Sequence, residues 1–146
     1  MKIALASDHA GYELKEYLKI YLNNSGYEIV DFGTTTAESC DYPIFAVDAA
    51  KAVADGSCVY GVIICGTGIG MSIATNKIKG IRAANCLTEE MARLTREHNN
   101  ANVLNLGARL MDKDTAVHIL DKFLNTDFTG GRHESRVSLI HQLTGL

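Results

Sequence analysis

Short apolar runs alternate along the chain with stretches in which apolar residues return every third or fourth position. Lys2-Ile3-Ala4-Leu5-Ala6 opens as a strand-length run. Over residues 10–24, Leu14, Tyr17, Leu18, Tyr21 and Leu22 share one side of a helix that Asn23-Asn24-Ser25-Gly26 closes. Tyr27 to Asp31 predicts a second strand, and Asp41 is placed to cap a helix with Pro43 in its first turn that runs to Asp55-Gly56. Val59 to Ile64 predicts a third strand, followed by a helix over 69–78 and a weaker strand over 81–85. Thr88 caps the next helix, with Glu89 and Glu90 where acids favour the helix dipole. Asn102 to Leu106 is the fifth strand; helices over 112–124 and 134–143 complete the chain, separated by the Thr129-Gly130-Gly131 break.

Strands that alternate with helices, several of them continuous in Val, Ile and Leu, imply a parallel sheet covered on both faces. With right-handed crossovers this is a three-layer α/β/α sandwich, a Rossmann-like, doubly wound five-stranded parallel sheet. The 146 residues form a single domain, 1–146, with no internal repeat or linker. A chain of this length buries about 70% of its unfolded surface without staples. In such sheets ligands sit beyond the carboxyl ends of the strands, and both Ser7-Asp8-His9 and Cys65-Gly66-Thr67 fall there.

Composition narrows the field without naming a chemistry. A net charge of −3 argues against a general nucleic-acid or membrane surface. Cys40, Cys58, Cys65 and Cys86 show neither a CxxC pair nor histidines at metal spacing, so they read as reduced thiols in a cytoplasm. The first residues enter a strand directly, without a signal-peptide pattern, and no apolar run is long enough to span a bilayer.

The chemistry concentrates where the third strand meets Gly66-Thr67-Gly68-Ile69-Gly70. Alternating glycines let successive backbone amides converge on one point, where an anion is held. A thiol at the same place is poised to ionise, because a helix start favours the thiolate over the thiol of ordinary pKa about 8.5. The loop fails three competing patterns. A dinucleotide fingerprint needs a glycine at position 71, which is Met71; a Walker loop needs a closing Lys-Ser/Thr; a cysteine phosphatase needs an arginine at 71. A buried strand-end thiol is the plainer reading of any single cysteine, and Cys40, Cys58 and Cys86 are assigned that packing role. Asp8 reads as a helix cap or a site acid, and His98-Asn99 as an ordinary helix end. Arg132 and Arg136 stand one turn apart at a helix start, where cations are disfavoured, so they read either as a solvated turn or as an anion clamp. His118 and His141 look like ordinary helix residues.

Five dispersed motifs in order carry a more specific signal: Ser7-Asp8-His9-Ala10-Gly11, Asp41-Tyr42-Pro43, Cys65-Gly66-Thr67-Gly68-Ile69-Gly70, Arg96 to Asn102, and the late Arg132/Arg136 pair. Together they resemble the B-type ribose-5-phosphate isomerases and their relatives, the galactose-6-phosphate isomerase subunits, over essentially the whole chain. The resemblance implies interconversion of D-ribose 5-phosphate and D-ribulose 5-phosphate, a pentose phosphate pathway step, through a cis-enediolate and without metal or organic cofactor. It implies that Cys65 moves the proton between C1 and C2, since the stretch Ile69-Gly70-Met71 lacks the glutamate some members use. It further implies that Thr67 and the amides of Gly66, Gly68, Ile69 and Gly70 hold the enediolate oxygen, and that Asp8 and His98 open the sugar ring. Tyr42 would line the sugar pocket, Asn99 would bind a hydroxyl, and His9, Arg109, Arg132 and Arg136 would hold the phosphate. The same resemblance implies a homodimer, in some relatives a tetramer, whose C-terminal helix contacts the partner and whose sites mix residues of both chains. A hexose 6-phosphate isomerase (allose or galactose 6-phosphate), a chain needing a distinct partner subunit and a non-catalytic phosphate-binding module remain the competing readings.

Overall fold

Backbone hydrogen bonding in the computed structural model, which describes residues 1–146, sets strands and helices in close alternation. In chain order they are β1 (Lys2–Ser7), α1 (Tyr12–Asn24), β2 (Glu28–Asp31), α2 (Tyr42–Ala54), β3 (Tyr60–Cys65) and α3 (Ile69–Thr75). There follow β4 (Ala83–Asn85), α4 (Glu89–Asn99), β5 (Val103–Gly107), α5 (Lys113–Leu124) and α6 (Arg132–Thr144). Every strand pairing is parallel, in the order β2-β1-β3-β5-β4. The chain leaves β1 toward β2 on one side, while β3 lies on the other, so the topological switch falls between β1 and β3.

Side-chain alternation divides the core in two. Ile3, Leu5, Val62, Ile64, Leu104 and Leu106 leave one face and meet Leu14, Leu18 and Leu22 of α1 together with Ala92 of α4 and Ile119, Leu120 and Phe123 of α5. Ala4, Ala6, Ile63, Cys65 and Val103 leave the other and meet the alanines of α2 and Met71 of α3. This is the predicted three-layer sandwich. The sixth helix packs against α4 and buries none of its residues. No helix is long and apolar enough to cross a membrane, and all four cysteines are free.

The predicted elements all form, and their ends move for local reasons. The helix after β3 stops at Thr75 rather than 78, because Asn76 turns its amide nitrogen onto the carbonyls of Ser72 and Ala83 and closes the turn. The fourth strand shrinks to three residues. Arg82 gives its backbone N–H to the Asn102 side chain instead of a strand neighbour. Thr88 caps α4 as expected, accepting from the Met91 amide at 3.1 Å. Asp41 precedes α2 but its side chain accepts no capping bond. The last helix starts two residues earlier than expected, directly after Gly130 and Gly131, whose φ values of 64° and 58° suit glycine. His141 is not an ordinary helix residue: it reaches the Leu146 carbonyl at 2.6 Å through Nδ1 and the Arg82 guanidinium at 3.1 Å through Nε2.

A charged knot fixes α1 to the end of β2. Lys15 is only 1% exposed, and its ammonium donates to Asp31 at 2.6 Å and lies 2.9 Å from Glu16. Asp31 also accepts from Lys19 at 2.8 Å and from the Gly33 amide at 2.9 Å. Burial would raise the Asp31 carboxyl, but the hydrogen bonds from Lys15, Lys19 and Gly33 outweigh it and hold its pKa below the usual carboxylate value.

Asp31→Ala is therefore expected to destabilise the fold by about 3 kcal/mol in urea unfolding at pH 7, the lower end for stranding a buried charge, because Glu16 stays beside Lys15. A carboxyl depressed in the folded state contributes stability that is complete above its unfolded pKa of about 3.9 and is lost as pH falls through the folded pKa. The difference between wild type and variant should accordingly be constant at neutral pH and shrink below about pH 4.

Candidate active site

The sulfur of Cys65 stands at the last position of β3, where the strand's extended backbone gives way to the glycine loop. Register Cys65↔Gly107 sets it level with the end of β5, and Ser7↔Ile64 brings the end of β1 alongside. The residue is 6% exposed, yet it lines an open crevice of about 200 Å³ at the strand ends. The Gly68 amide donates to its Sγ at 3.1 Å. Gly68 reaches that position with φ 76°, a conformation that side chains resist. The next amide, of Ile69, donates to the Thr67 hydroxyl at 3.3 Å. The N–H groups of Gly66, Thr67 and Gly70 have no partner within the protein and remain available at the loop. The expected nest of five amides is thus divided: two are taken by neighbouring side chains and three are left free.

Glycine also lets other groups approach. A β-carbon at Gly66 would come within 3.2 Å of the Arg109 guanidinium, and one at Gly70 within 2.8 Å of the Tyr42 ring. Arg109 is carried there by the turn after β5, where its amide donates to the Gly66 carbonyl at 2.9 Å. Tyr42 is the first residue of α2 and is partly exposed over the loop. From the end of β1, Asp8 and His9 enter the same crevice. One Asp8 oxygen accepts from the Gly11 amide at 3.0 Å, a local turn that fixes the carboxylate while leaving its second oxygen without a protein partner. Nδ1 of His9 accepts from the Cys40 amide at 3.3 Å, so the proton of the neutral ring sits on Nε2. A larger hollow of about 730 Å³ adjoins the crevice, shares His9, Ala10 and Arg109 with it, and is bounded beyond by Met111 and Lys113.

The remaining candidates lie elsewhere on the chain. His98 is in the last turn of α4 and stacks on His133 of α6, ring centroids 4.2 Å apart and planes 9° from parallel. Arg132 and Arg136 project from α6 on either side of His133 and are exposed. Burial, together with the electrostatic influence of His98, Arg132 and Arg136, lowers the His133 pKa. Asn99 borders a separate cleft with Arg82 and Ile140. None of His98, Asn99, Arg132 or Arg136 lines the crevice of Cys65. Within one chain the thiol-bearing crevice and the cationic cluster around His133 are therefore separate.

The four cysteines also separate. Cys58 and Cys86 are buried as expected, and burial pushes both thiols up, Cys86 to about 12. Cys40 departs from its assigned packing role: it is half-buried, with its Sγ 3.9 Å from His9 Nδ1 at the rim of the crevice. Asn85, at the end of β4, belongs to none of the sequence motifs. Its Nδ2 donates to the Thr67 carbonyl at 3.2 Å and so touches the loop directly. Its place at a strand's carboxyl end is the one sequence signal that points to it.

Comparison with known proteins identifies the family. The sequence profile of the Ribose/Galactose Isomerase family matches residues 3–140. The chain is 45% identical to ribose-5-phosphate isomerase B of Escherichia coli (strain K12) over 139 residues, 95% of this chain and 93% of that one. It superposes on the ribose-5-phosphate isomerase B structure of Clostridium thermocellum with a TM-score of 0.98 at 50% identity, covering 99% and 98% of the two chains. It is also similar to the Mycoplasma genitalium ribose-5-phosphate isomerase B structure with bound ribulose-5-phosphate, at TM-score 0.95, 39% identity and 99% and 96% coverage. A profile match over nearly the whole chain, with close relatives of the same length, establishes that this protein belongs to the Ribose/Galactose Isomerase family.

Proposed function

We propose that this chain interconverts D-ribose 5-phosphate and D-ribulose 5-phosphate, with Cys65 as the base that carries a proton between C2 and C1. The observation that carries the reading is the thiol at the β1/β3 switch, hydrogen-bonded by one loop amide and flanked by the free amides of Gly66, Thr67 and Gly70. Removing a proton next to a carbonyl creates an enediolate that is unstable in water, and fixed donors aimed at its oxygen are commonly worth about 3–4 kcal/mol each. The thiolate takes the C2 proton of the open-chain aldose, the loop amides and Thr67 hold the resulting enediolate oxyanion while the O2 hydroxyl proton passes to O1, and the thiol returns its proton to C1, leaving the C2 ketone and the thiolate. Asp8, with one oxygen free, and His98 open the furanose ring beforehand. Tyr42 covers the sugar, Asn99 binds a hydroxyl, and His9 with Arg109, Arg132 and Arg136 holds the phosphate. The ribulose-5-phosphate complex of the Mycoplasma genitalium relative supports the choice of substrate.

The working unit is a homodimer in which the cationic cluster of one chain completes the thiol crevice of the other. Two features support it. His98, Arg132 and Arg136 lie outside the crevice of their own chain. The apolar side chains of Leu139, Ile140 and Leu143 on α6, and of Ile69 and Ile73 on α3, are exposed without a partner. A two-fold interface would bury such faces and repeat the completed site twice.

Cys65→Ala should fold normally and lose proton transfer by a factor of about 10²–10⁴. Proton NMR in D₂O with pentose and hexose phosphates reads this directly, since the wild type introduces deuterium at C1 or C2 and the variant does not. Wild-type exchange by Cys65→Ala would overturn the assignment of the base, and exchange confined to hexose phosphates would overturn the assignment of the substrate.

The shared site has its own test. Arg132→Ala/Arg136→Ala should mainly raise KM. When that variant and Cys65→Ala, each nearly inactive at low substrate, are unfolded and refolded together, random pairing restores roughly a quarter of wild-type activity, because half the dimers hold one intact site. No recovery on mixing would place each site within one chain.

A further inference from the structure

The peptide unit between Thr67 and Gly68 touches the reacting sulfur at one end and Asn85 at the other. Its N–H, on Gly68, donates to Cys65 Sγ at 3.1 Å. Its C=O, on Thr67, accepts from Asn85 Nδ2 at 3.2 Å. A trans peptide is planar, with N–H and C=O pointing opposite ways, so whatever holds the carbonyl also aims the amide. We propose that Asn85 is a positioning residue for proton transfer: it locks the Thr67–Gly68 peptide with its N–H on the sulfur. The proposal rests on Cys65 acting as the base.

A lock is needed because this peptide ends in glycine. Gly68 holds φ 76°, but glycine adopts positive and negative φ almost equally, so the unit can turn over at little conformational cost. The two orientations affect the thiol oppositely. An N–H facing the sulfur stabilises the thiolate, whereas a C=O facing it repels the same charge. The loop is otherwise packed tightly at this point. A β-carbon on Gly68 would fall 2.1 Å from Asn85 Oδ1, and one on Gly107 would fall 2.7 Å from the Thr67 carbonyl. Close packing fixes where the peptide lies, and the Asn85 amide fixes which way it faces.

The rest of the Asn85 side chain makes no other hydrogen bond. Its Oδ1 is buried without a partner. In register beside it on β5, the fully buried Asn105 carboxamide also has neither its nitrogen nor its oxygen paired. Two carboxamides thus stand together under the loop, where apolar residues would avoid unpaired polar atoms, and the one bond the pair makes goes to the peptide at the sulfur.

The experiment follows Cys65 itself. Alkylation by iodoacetamide is measured against pH and located by peptide mass spectrometry, which separates Cys65 from the half-buried Cys40. Asn85→Ala removes the donor. Asn85→Leu removes it while keeping the volume and deleting the unpaired oxygen, which guards against loss of the fold. Both variants are expected to raise the pH midpoint of Cys65 alkylation by about one unit and to lower kcat about tenfold at neutral pH. KM for ribose 5-phosphate should stay within about twofold, since Asn85 does not line the crevice. An unchanged alkylation midpoint in the two variants would overturn the proposal. A raised midpoint with unchanged kcat would show that Asn85 aims the peptide at the sulfur but would overturn its part in proton transfer, together with Cys65 as the base.

Discussion

Parallel pairing with flush ends is the constraint on which this molecule's chemistry rests. Because β1, β3 and β5 run the same way and stay in register up to Ser7, Cys65 and Gly107, three turns leave the sheet at one edge. Asp8 and His9 arrive from the first, the glycine loop from the second and Arg109 from the third. A slip of one residue in β3 would turn Cys65 onto the opposite face, among the leucines that meet α1 and α5, and leave the loop without its sulfur. The ladder hydrogen bonds that stabilise the fold therefore also set the relative placement of acid, thiol and guanidinium.

The thiol crevice and the cationic cluster are each organised by contacts within the protein. On the thiol side, a local turn holds Asp8 through the Gly11 amide, and the Cys40 amide, far along the chain, holds His9. On the cationic side, buried Arg96 binds the Ala101 carbonyl at 2.6 Å, the Asn100 side chain at 3.0 Å and the Tyr60 hydroxyl at 2.8 Å. That anchor shapes the turn leaving α4, in which Asn100 takes φ 47° and closes the helix just after His98 and Asn99. The motif from Arg96 to Asn102 thus combines a structural anchor with the residues it presents.

The architecture was largely legible from periodicity, because continuous apolar runs such as Val62-Ile63-Ile64 fit only strands covered on both faces. Helix and strand ends were less so. They turn on side chains that compete with the backbone, as Asn76 does at the end of α3 and Asn102 does before β4. Cys65 and the glycine loop stood out because strand, thiol and loop are consecutive in the sequence. Asn85 and Cys40 did not, since their partners lie 18 and 31 positions away and no local pattern records the meeting. The separation of His98 and the late arginines from the crevice leaves no trace in the sequence, because spacing along a chain does not record which residues meet in space.

The two faces of the sheet differ in grain, and that difference reaches the crevice. Large branched side chains fill the layer beneath α1, α4 and α5, where volume-conserving exchanges among apolar residues are tolerated best. Beneath α2 the contact is alanine on alanine, with Ala4 and Ala6 of the sheet facing Ala46, Ala49 and Ala50 of the helix. Where those alanines touch, neither partner is long enough to bend aside, so bulk added at these positions lifts the helix. The helix begins at Tyr42, whose ring lies over Gly70. Variation in the alanine layer would therefore tilt the roof of the crevice, which ties the evolution of this half of the core to catalysis and leaves the leucine half free to drift.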